Sequence, residues 1–339
     1  MRFLILGAGA IGAYLGVSLA QAGHTVTFLA RPATAAQLRA QGLRLTRHDR
    51  QSVIPAPAVV DSPADAFRIT HDVLIFALKS FDTANALTEL RAATDSPPPI
   101  LCLQNGVDNE SDIARVFGAD RVIAGTVTTA VGRRGAGDFV VERERGVGVA
   151  LGHPLSTPLL AAFHEAGLKT CGYESAGALK WSKLLTNLVG NATSAILDLS
   201  VAEIFAEARL FAVEQAQLRE CLSVMRALGH MVVDLPGTPV RALALGAQLP
   251  AWLARPLLRR GLASARGGKM PSLHLDLHGG RPTEVRWLHG AVARYGAQAG
   301  VATPVNRTLA ETVEALSAGR LKPESFRRRP EALLSLINM

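Results

Sequence analysis

The sequence predicts an α/β domain built on a parallel sheet, followed by a helical domain. Three observations carry this. A glycine-rich turn joins an apolar strand to a helix at the start of the chain. Strand–turn–helix units then recur to about Tyr173, and after about Ser175 the texture changes to long helix-period stretches.

Arg2–Leu6 reads as a buried parallel strand that runs directly into Gly7-Ala8-Gly9-Ala10-Ile11-Gly12 and a helical pattern over 13–22. Strand, GxGxxG and helix in this order suit a dinucleotide. The first glycine permits the tight turn, the second lets the backbone approach a pyrophosphate, and the third lets helix pack on strand. The helix N-terminus adds amides and the positive end of its dipole. This spacing also argues against reading the apolar run 3–20 as a signal peptide or anchor. Gly23 stops the helix and residues 24–30 form the second strand. Arg31 then stands where an NAD-specific site would usually carry Asp or Glu. An arginine there pairs with a 2′-phosphate, so NADP(H) is the expected cofactor; the alternative is a solvated loop arginine.

Residues 73–78, 100–104 and 122–126 read as further strands, with Lys79 and Asn105 just past two of their ends, where such sheets bind ligands. Residues 132–148 read as a hairpin region, 156–167 as a short helix and 168–173 as a closing strand. Helices are expected over 178–197, 201–228, 283–299 and 307–318. The apolar stretch 242–254 is too short to span a bilayer, and a buried or cleft-lining helix is preferred to a membrane-surface one. The expected organisation is a dinucleotide-binding domain over 1–175, a helical substrate domain over 176–326 and a tail over 327–339. A frayed end is preferred for the tail; a helix docking on a partner subunit is the alternative, so a homodimer stays open.

With 339 residues, 48% hydrophobic and 19% charged, the chain can bury a large core, which excludes disorder and collagen-like repeats. The net charge of +8 invites a nucleic-acid reading, but 5% aromatic residues argue against a base-stacking platform, so no nucleic-acid or membrane partner is expected. Lysine supplies only six of the 36 basic residues, at 79, 169, 180, 183, 269 and 322, which makes each one worth inspecting. Cys102, Cys171 and Cys221 have no metal-ligand spacing; they read as small core residues of a cytoplasmic protein that needs no metal.

Lys183, Asn187 and Asn191 follow one another at i, i+4 and i+8, which on one helix would align an ammonium and two amides along a single stripe. A solvated stripe is the plain alternative, yet Asn is a poor residue for a helix interior, so two in register with a rare lysine look selected for hydrogen bonding. Lys180, one turn earlier, reads as a solvated side chain. Ser272, twelve residues before Glu284, reads alone as a helix cap, and Thr283-Glu284 as a helix start.

Together, Gly7-x-Gly9-x-x-Gly12, Asn105-Gly106, Lys183-x3-Asn187-x3-Asn191 and Ser272 twelve residues before Glu284 resemble the ketopantoate reductase (2-dehydropantoate 2-reductase) family, collinearly over about residues 1–320. The resemblance implies a Rossmann-type N-terminal domain plus an all-α C-terminal domain like that of 6-phosphogluconate dehydrogenase. It implies reduction of 2-dehydropantoate by NADPH to (R)-pantoate, on the route to pantothenate and coenzyme A. Carried over, Lys183 is the proton donor, and Asn187, Asn191 and Ser272 bind the small-molecule 2-keto acid. Asn105 touches cofactor and substrate, and Arg31, Lys79 and Glu284 join Gly7, Ala8, Gly9, Ala10, Ile11 and Gly12 on NADP. The chain departs from common members where it has Pro271-Ser272-Leu273 in place of Ser-Ser-Met and Ala192 in place of a proline, and it is longer over 236–270. A different 2-keto acid therefore stays open as substrate, as does a non-catalytic NADP-binding regulatory protein.

Overall fold

Phe3-Leu4-Ile5-Leu6 has no polar side, so it is stable only with both faces covered, and it forms the centre of a sheet. The computed structural model describes residues 1–266 and 269–337, the side chains of 260–266 excepted. The chain divides into an α/β unit, Met1–Lys180 with Leu235–Thr238, and a helical unit, Trp181–Asp234 with Pro239–Met339.

The α/β unit runs β1 (Arg2–Leu6), α1 (Ala10–Gln21), β2 (Thr25–Leu29), α2 (Pro32–Gln41), β3 (Leu43–Arg47), β4 (Arg50–Ile54), β5 (Ala58–Val60), α3 (Pro63–Ala66), β6 (Val73–Phe76), α4 (Thr83–Ala93), β7 (Ile100–Cys102), α5 (Asn109–Phe117), β8 (Val122–Val127), β9 (Ala130–Gly135), β10 (Asp138–Arg143), β11 (Val147–Ala150), α6 (Ser156–Glu165) and β12 (Thr170–Tyr173). The main sheet has the order β12-β11-β8-β7-β6-β1-β2-β5. It is parallel from β5 to β8, while β11 turns antiparallel to β8. The chain leaves β1 toward β2 on one side and returns to β6 on the other, so a topological switch point opens at the carboxyl end of β1.

A second sheet, β4-β3-β10-β9, was not expected over 43–54. Its strands contribute Leu43, Leu45 and Phe139 to the same apolar cluster as Ala13, Tyr14 and Val17 of α1, so the second sheet packs against α1. The β3–β4 turn is made by His48 and Asp49, both with positive φ and neither a glycine.

The helical unit begins within α7 (Ala176–Leu188), which starts in the α/β unit, and continues through α8 (Asn191–Leu197), α9 (Val201–Ala206), α10 (Ala208–Ala227), α11 (Val240–Gln248), α12 (Ala251–Arg266), α13 (Ser272–His278), α14 (His289–Gln298), α15 (Pro304–Ser317) and α16 (Pro330–Ile337). Four expected helices are corrected. The stretch 178–197 breaks at Gly190, which takes φ +61°. The stretch 201–228 breaks at Glu207, whose extended backbone lets its carboxylate cap α10 at Leu210 N. The stretch 242–254 breaks at Leu249-Pro250, where the pre-proline residue is extended. Over 283–299 the helix starts only at His289, after a 3-10 turn at Val285–Trp287.

The tail does not fray. Leu333 and Leu334 of α16 are buried on the chain's own helices, Arg327 pairs with Asp198, and Arg328 pairs with Glu203. Its last two residues, Asn338 and Met339, lie outside the described residues, as do the side chains of Arg260 and Arg266. Cys102 and Cys221 are buried free thiols as expected, whereas Cys171 is exposed. No helix among the described residues is long and apolar enough to cross a membrane.

Candidate active site

In the α/β unit the turn after β1 is shaped by what a side chain would strike. Gly7 has φ +103°, and a Cβ there would lie 3.0 Å from the Ala77 carbonyl, so the turn sits directly against the segment after β6. A Cβ on Gly12 would lie 1.9 Å from the Gly7 carbonyl. At Gly9 the backbone is extended and a Cβ would meet no atom within 4 Å. Two of the glycines thus serve the fold, while the middle one faces open space at the start of α1, where no side chain caps the helix. That combination fits a dinucleotide pyrophosphate.

Arg31 is the residue just before α2 and its side chain is 74% exposed; its Nη2 lies 2.7 Å from Asp82 Oδ1. Lys79 leads into the 3-10 turn Ser80–Asp82, and Asn105 follows β7. A buried polar net joins these two loops. Ser80 Oγ donates to the Asn105 carbonyl at 2.9 Å, and Asn109 Nδ2 donates to it at 2.7 Å. Gln104 Nε2 donates to Thr83 Oγ1 at 2.8 Å and to the Lys79 carbonyl at 3.3 Å.

Lys180 is not solvated. It is 4% exposed, pairs with Glu110 Oε1 at 2.7 Å, and donates to the carbonyls of Gln104 at 2.6 Å and Gly125 at 3.3 Å. Sequence reasoning missed Lys180, Glu110 and Asn109. The scarcity of lysine was the one available signal.

In the helical unit Lys183 and Asn187 lie half-buried on α7, flanked by buried Trp181, Leu184, Leu185 and Leu188. The expected three-residue stripe does not exist as one helical face, because the left-handed Gly190 intervenes and Asn191 opens α8. A buried carboxylate anchors that break: Glu214 accepts from Gly190 N at 2.7 Å, Thr193 Oγ1 at 2.6 Å and Gln217 Nε2 at 2.7 Å. Gln217 Oε1 in turn accepts from His289 Nε2 at 2.9 Å, and burial pushes that imidazole's pKa down to about 3.

Asn191 is buried. Its Nδ2 donates to the Asn187 carbonyl at 2.8 Å and its Oδ1 accepts from Leu273 N at 3.0 Å. It thereby ties the end of α7 to the start of α13, whose first residue is Ser272, an exposed side chain preceded by the N-cap Pro271. Ser272 is therefore not itself the cap. Glu284 is buried and stands at the N-cap of the 3-10 turn Val285–Trp287.

One further group of ligand-type side chains meets in this unit. Asp198, His274 and His278 offer ligand atoms within 4.8 Å of one another. All three are engaged by protein: His274 Nε2 lies 2.7 Å from Asp198 Oδ1, Arg327 Nε lies 3.0 Å from Asp198 Oδ2, and His278 Nε2 lies 3.1 Å from the Ala195 carbonyl. The His274 hydrogen bond holds the Asp198 carboxyl below its ordinary range, and the adjacent guanidinium opposes a cation there.

A parallel sheet with a glycine turn at its switch point, in a chain whose helical unit carries a half-buried lysine followed one turn later by an amide, fits a dinucleotide-dependent oxidoreductase. Residues 3–152 match the family Ketopantoate reductase PanE/ApbA, and residues 177–317 match its C-terminal family. The 2-dehydropantoate 2-reductase of Halobacterium salinarum is 31% identical over 325 residues, covering 92% of this chain and 98% of that protein. Among solved structures, a PanE/ApbA family ketopantoate reductase from Ralstonia eutropha JMP134 superposes with a TM-score of 0.80 at 28% identity, over 94% of this chain and 99% of that one. D-mandelate dehydrogenase, solved with NADH and anilino(oxo)acetate, shares the fold with a TM-score of 0.77 at 22% identity, over 94% and 99% of the two chains. The chain belongs to the ketopantoate reductase family. It is an oxidoreductase that uses a nicotinamide dinucleotide.

Proposed function

We propose that this chain reduces 2-dehydropantoate to (R)-pantoate with NADPH in the cytoplasm, Lys183 acting as proton donor. The observation that carries the reading is a lysine among buried apolar residues on α7, followed one turn later by Asn187, in a chain collinear with the family over both domains. Bound NADPH supplies the hydride that reduces the C2 ketone. As negative charge develops on the ketone oxygen, the Lys183 ammonium stabilises it and then passes it a proton. Arginine would hold its proton at any relevant pH, so lysine is the residue type this step needs.

Asn187 and Ser272 bind the substrate's polar groups as neutral donors and acceptors, which leaves the ammonium unneutralised. Asn191 serves substrate binding by setting where Ser272 and Asn187 stand. Gly7 to Gly12 receive the pyrophosphate, Arg31 reads the 2′-phosphate, Lys79 and Glu284 contact the nucleotide, and Asn105 touches both ligands.

A second reading keeps this chemistry and changes the 2-keto acid. It is favoured by Pro271-Ser272-Leu273 and by the two helices α11 and α12 of the longer segment, since these departures leave the glycine turn intact. Steady-state assays across a panel of 2-keto acids, with NADPH and with NADH, decide. A kcat/KM for 2-dehydropantoate above roughly 10⁴ M⁻¹s⁻¹ and highest in the panel supports the first reading; a better 2-keto acid transfers the assignment to the second.

A further inference from the structure

The ammonium of Lys180 donates to the carbonyls of Gln104 and Gly125 and is held at 2.7 Å from the Glu110 carboxylate as an ion pair. These partners come from three elements. Glu110 lies in the first turn of α5, Gly125 lies in β8, and Gln104 is the residue just before Asn105 in the loop after β7. The β7–β8 ladder ends at Cys102 opposite Ala124, so Lys180 donates to carbonyls just past the point where strand pairing stops.

Two consecutive carbonyls of the loop are thus held by different groups. Lys180 takes that of Gln104, while Ser80 and Asn109 take that of Asn105. The Gln104 side chain is fixed as well, on Thr83 and the Lys79 carbonyl. With both peptide planes constrained, the direction in which Asn105 leaves the loop is set. Burying an ammonium and a carboxylate is a poor way to gain stability, since a well-packed apolar pair of similar volume often holds a fold as well. Geometric definition of the loop is what the charged pair adds.

We infer that Lys180 and Glu110 are positioning residues for Asn105: through the Gln104 carbonyl they set the angle at which the Asn105 amide meets cofactor and 2-keto acid. This rests on the reading of Asn105 given above. It also gives α7 two roles three residues apart, Lys180 holding the loop and Lys183 donating the proton.

The test is a double-mutant cycle between the paired variant Lys180→Met/Glu110→Gln, which leaves no unpaired buried charge, and Asn105→Ala. kcat, KM and NADPH affinity are measured for each form and for their combination. The paired variant is expected to fold, to lose about 10–100-fold in kcat/KM, and to cost nothing further in a background that already carries Asn105→Ala. Losses that multiply, or a folded paired variant with wild-type kcat/KM, overturn the inference. If the paired variant does not fold, Glu110→Gln alone is put through the same cycle under the same criterion. If the substrate is a different 2-keto acid, the cycle read in NADPH affinity needs none. If Asn105→Ala is silent in both rate and NADPH affinity, the assignment of Asn105 fails and this inference falls with it.

Discussion

The Asn191 side-chain carbonyl receives the backbone N–H of Leu273 at 3.0 Å, across 82 residues of sequence, and this one bond sets the start of the helix that presents Ser272. Asn191→Ala leaves that buried N–H without its acceptor and is expected to cost about 1–3 kcal/mol in a urea melt. It should also raise KM for the keto acid more than it lowers kcat. An unchanged KM beside lowered stability would reduce Asn191 to a purely structural residue.

Lys183→Ala is expected to lower kcat by about 10²–10⁴ with NADPH affinity nearly unchanged, the size of a lost proton transfer. Lys183→Arg should not restore the rate, because a guanidinium keeps its proton. Pre-steady-state oxidation of NADPH, followed by absorbance, checks both.

Arg31 is held by Asp82 in the structure, which places a competing carboxylate beside the group expected to read a 2′-phosphate. Arg31→Ala should weaken NADPH far more than NADH. Asp82→Asn should tighten NADPH by a few-fold and leave NADH alone, since it removes a rival for the same guanidinium. Titration of both cofactors against both variants decides; equal changes for the two cofactors would remove Arg31 from this role.

Gly9 and Gly12 should separate binding from folding. Gly12→Ala forces a methyl 1.9 Å from a backbone oxygen and is expected to destabilise the α/β unit by several kcal/mol. Gly9→Ala meets no protein atom within 4 Å, so its melt should shift by only about 1 kcal/mol, the cost of alanine at an N-cap. Its dinucleotide affinity should nevertheless fall at least about tenfold, as expected where the backbone must approach a pyrophosphate closely.

His289 predicts an acid limit to stability. Its pKa falls from 6.5 to about 3 in the folded protein because it is buried, so the unfolded chain binds the proton first. Its stabilising contribution is complete above pH 6.5 and is lost as pH drops toward 3, with a slope of about 1.4 kcal/mol per pH unit. Urea melts between pH 7 and 4 should show this slope, and His289→Gln should flatten it.

The cofactor end of the chain was legible in the sequence because its signals are local. A glycine turn needs particular backbone angles and clearances, and both belong to neighbouring residues. The second sheet was hidden because its turn uses His48 and Asp49 in place of Asn-Gly, and because β10 pairs with β3 across more than 90 residues. The helix breaks were hidden for a different reason. Gly190 lies inside a continuous apolar pattern, and only the distant Glu214 and Val201, which fill the space around it, show why the chain turns there. Lys180 was misread for the same cause: its three partners lie 55 to 76 residues away, and no spacing along α7 announces them.

The burial of Lys180 sorts the amines of this protein into a short, readable series. Lys169, Lys269 and Lys322 are exposed, Lys79 and Lys183 are half-covered, and Lys180 is enclosed. An acylating reagent should therefore label the first three quickly and Lys180 only on unfolding. The remaining two, on the roles proposed for them, should label more slowly when NADPH and the keto acid are bound, which a mass spectrometer can follow peptide by peptide.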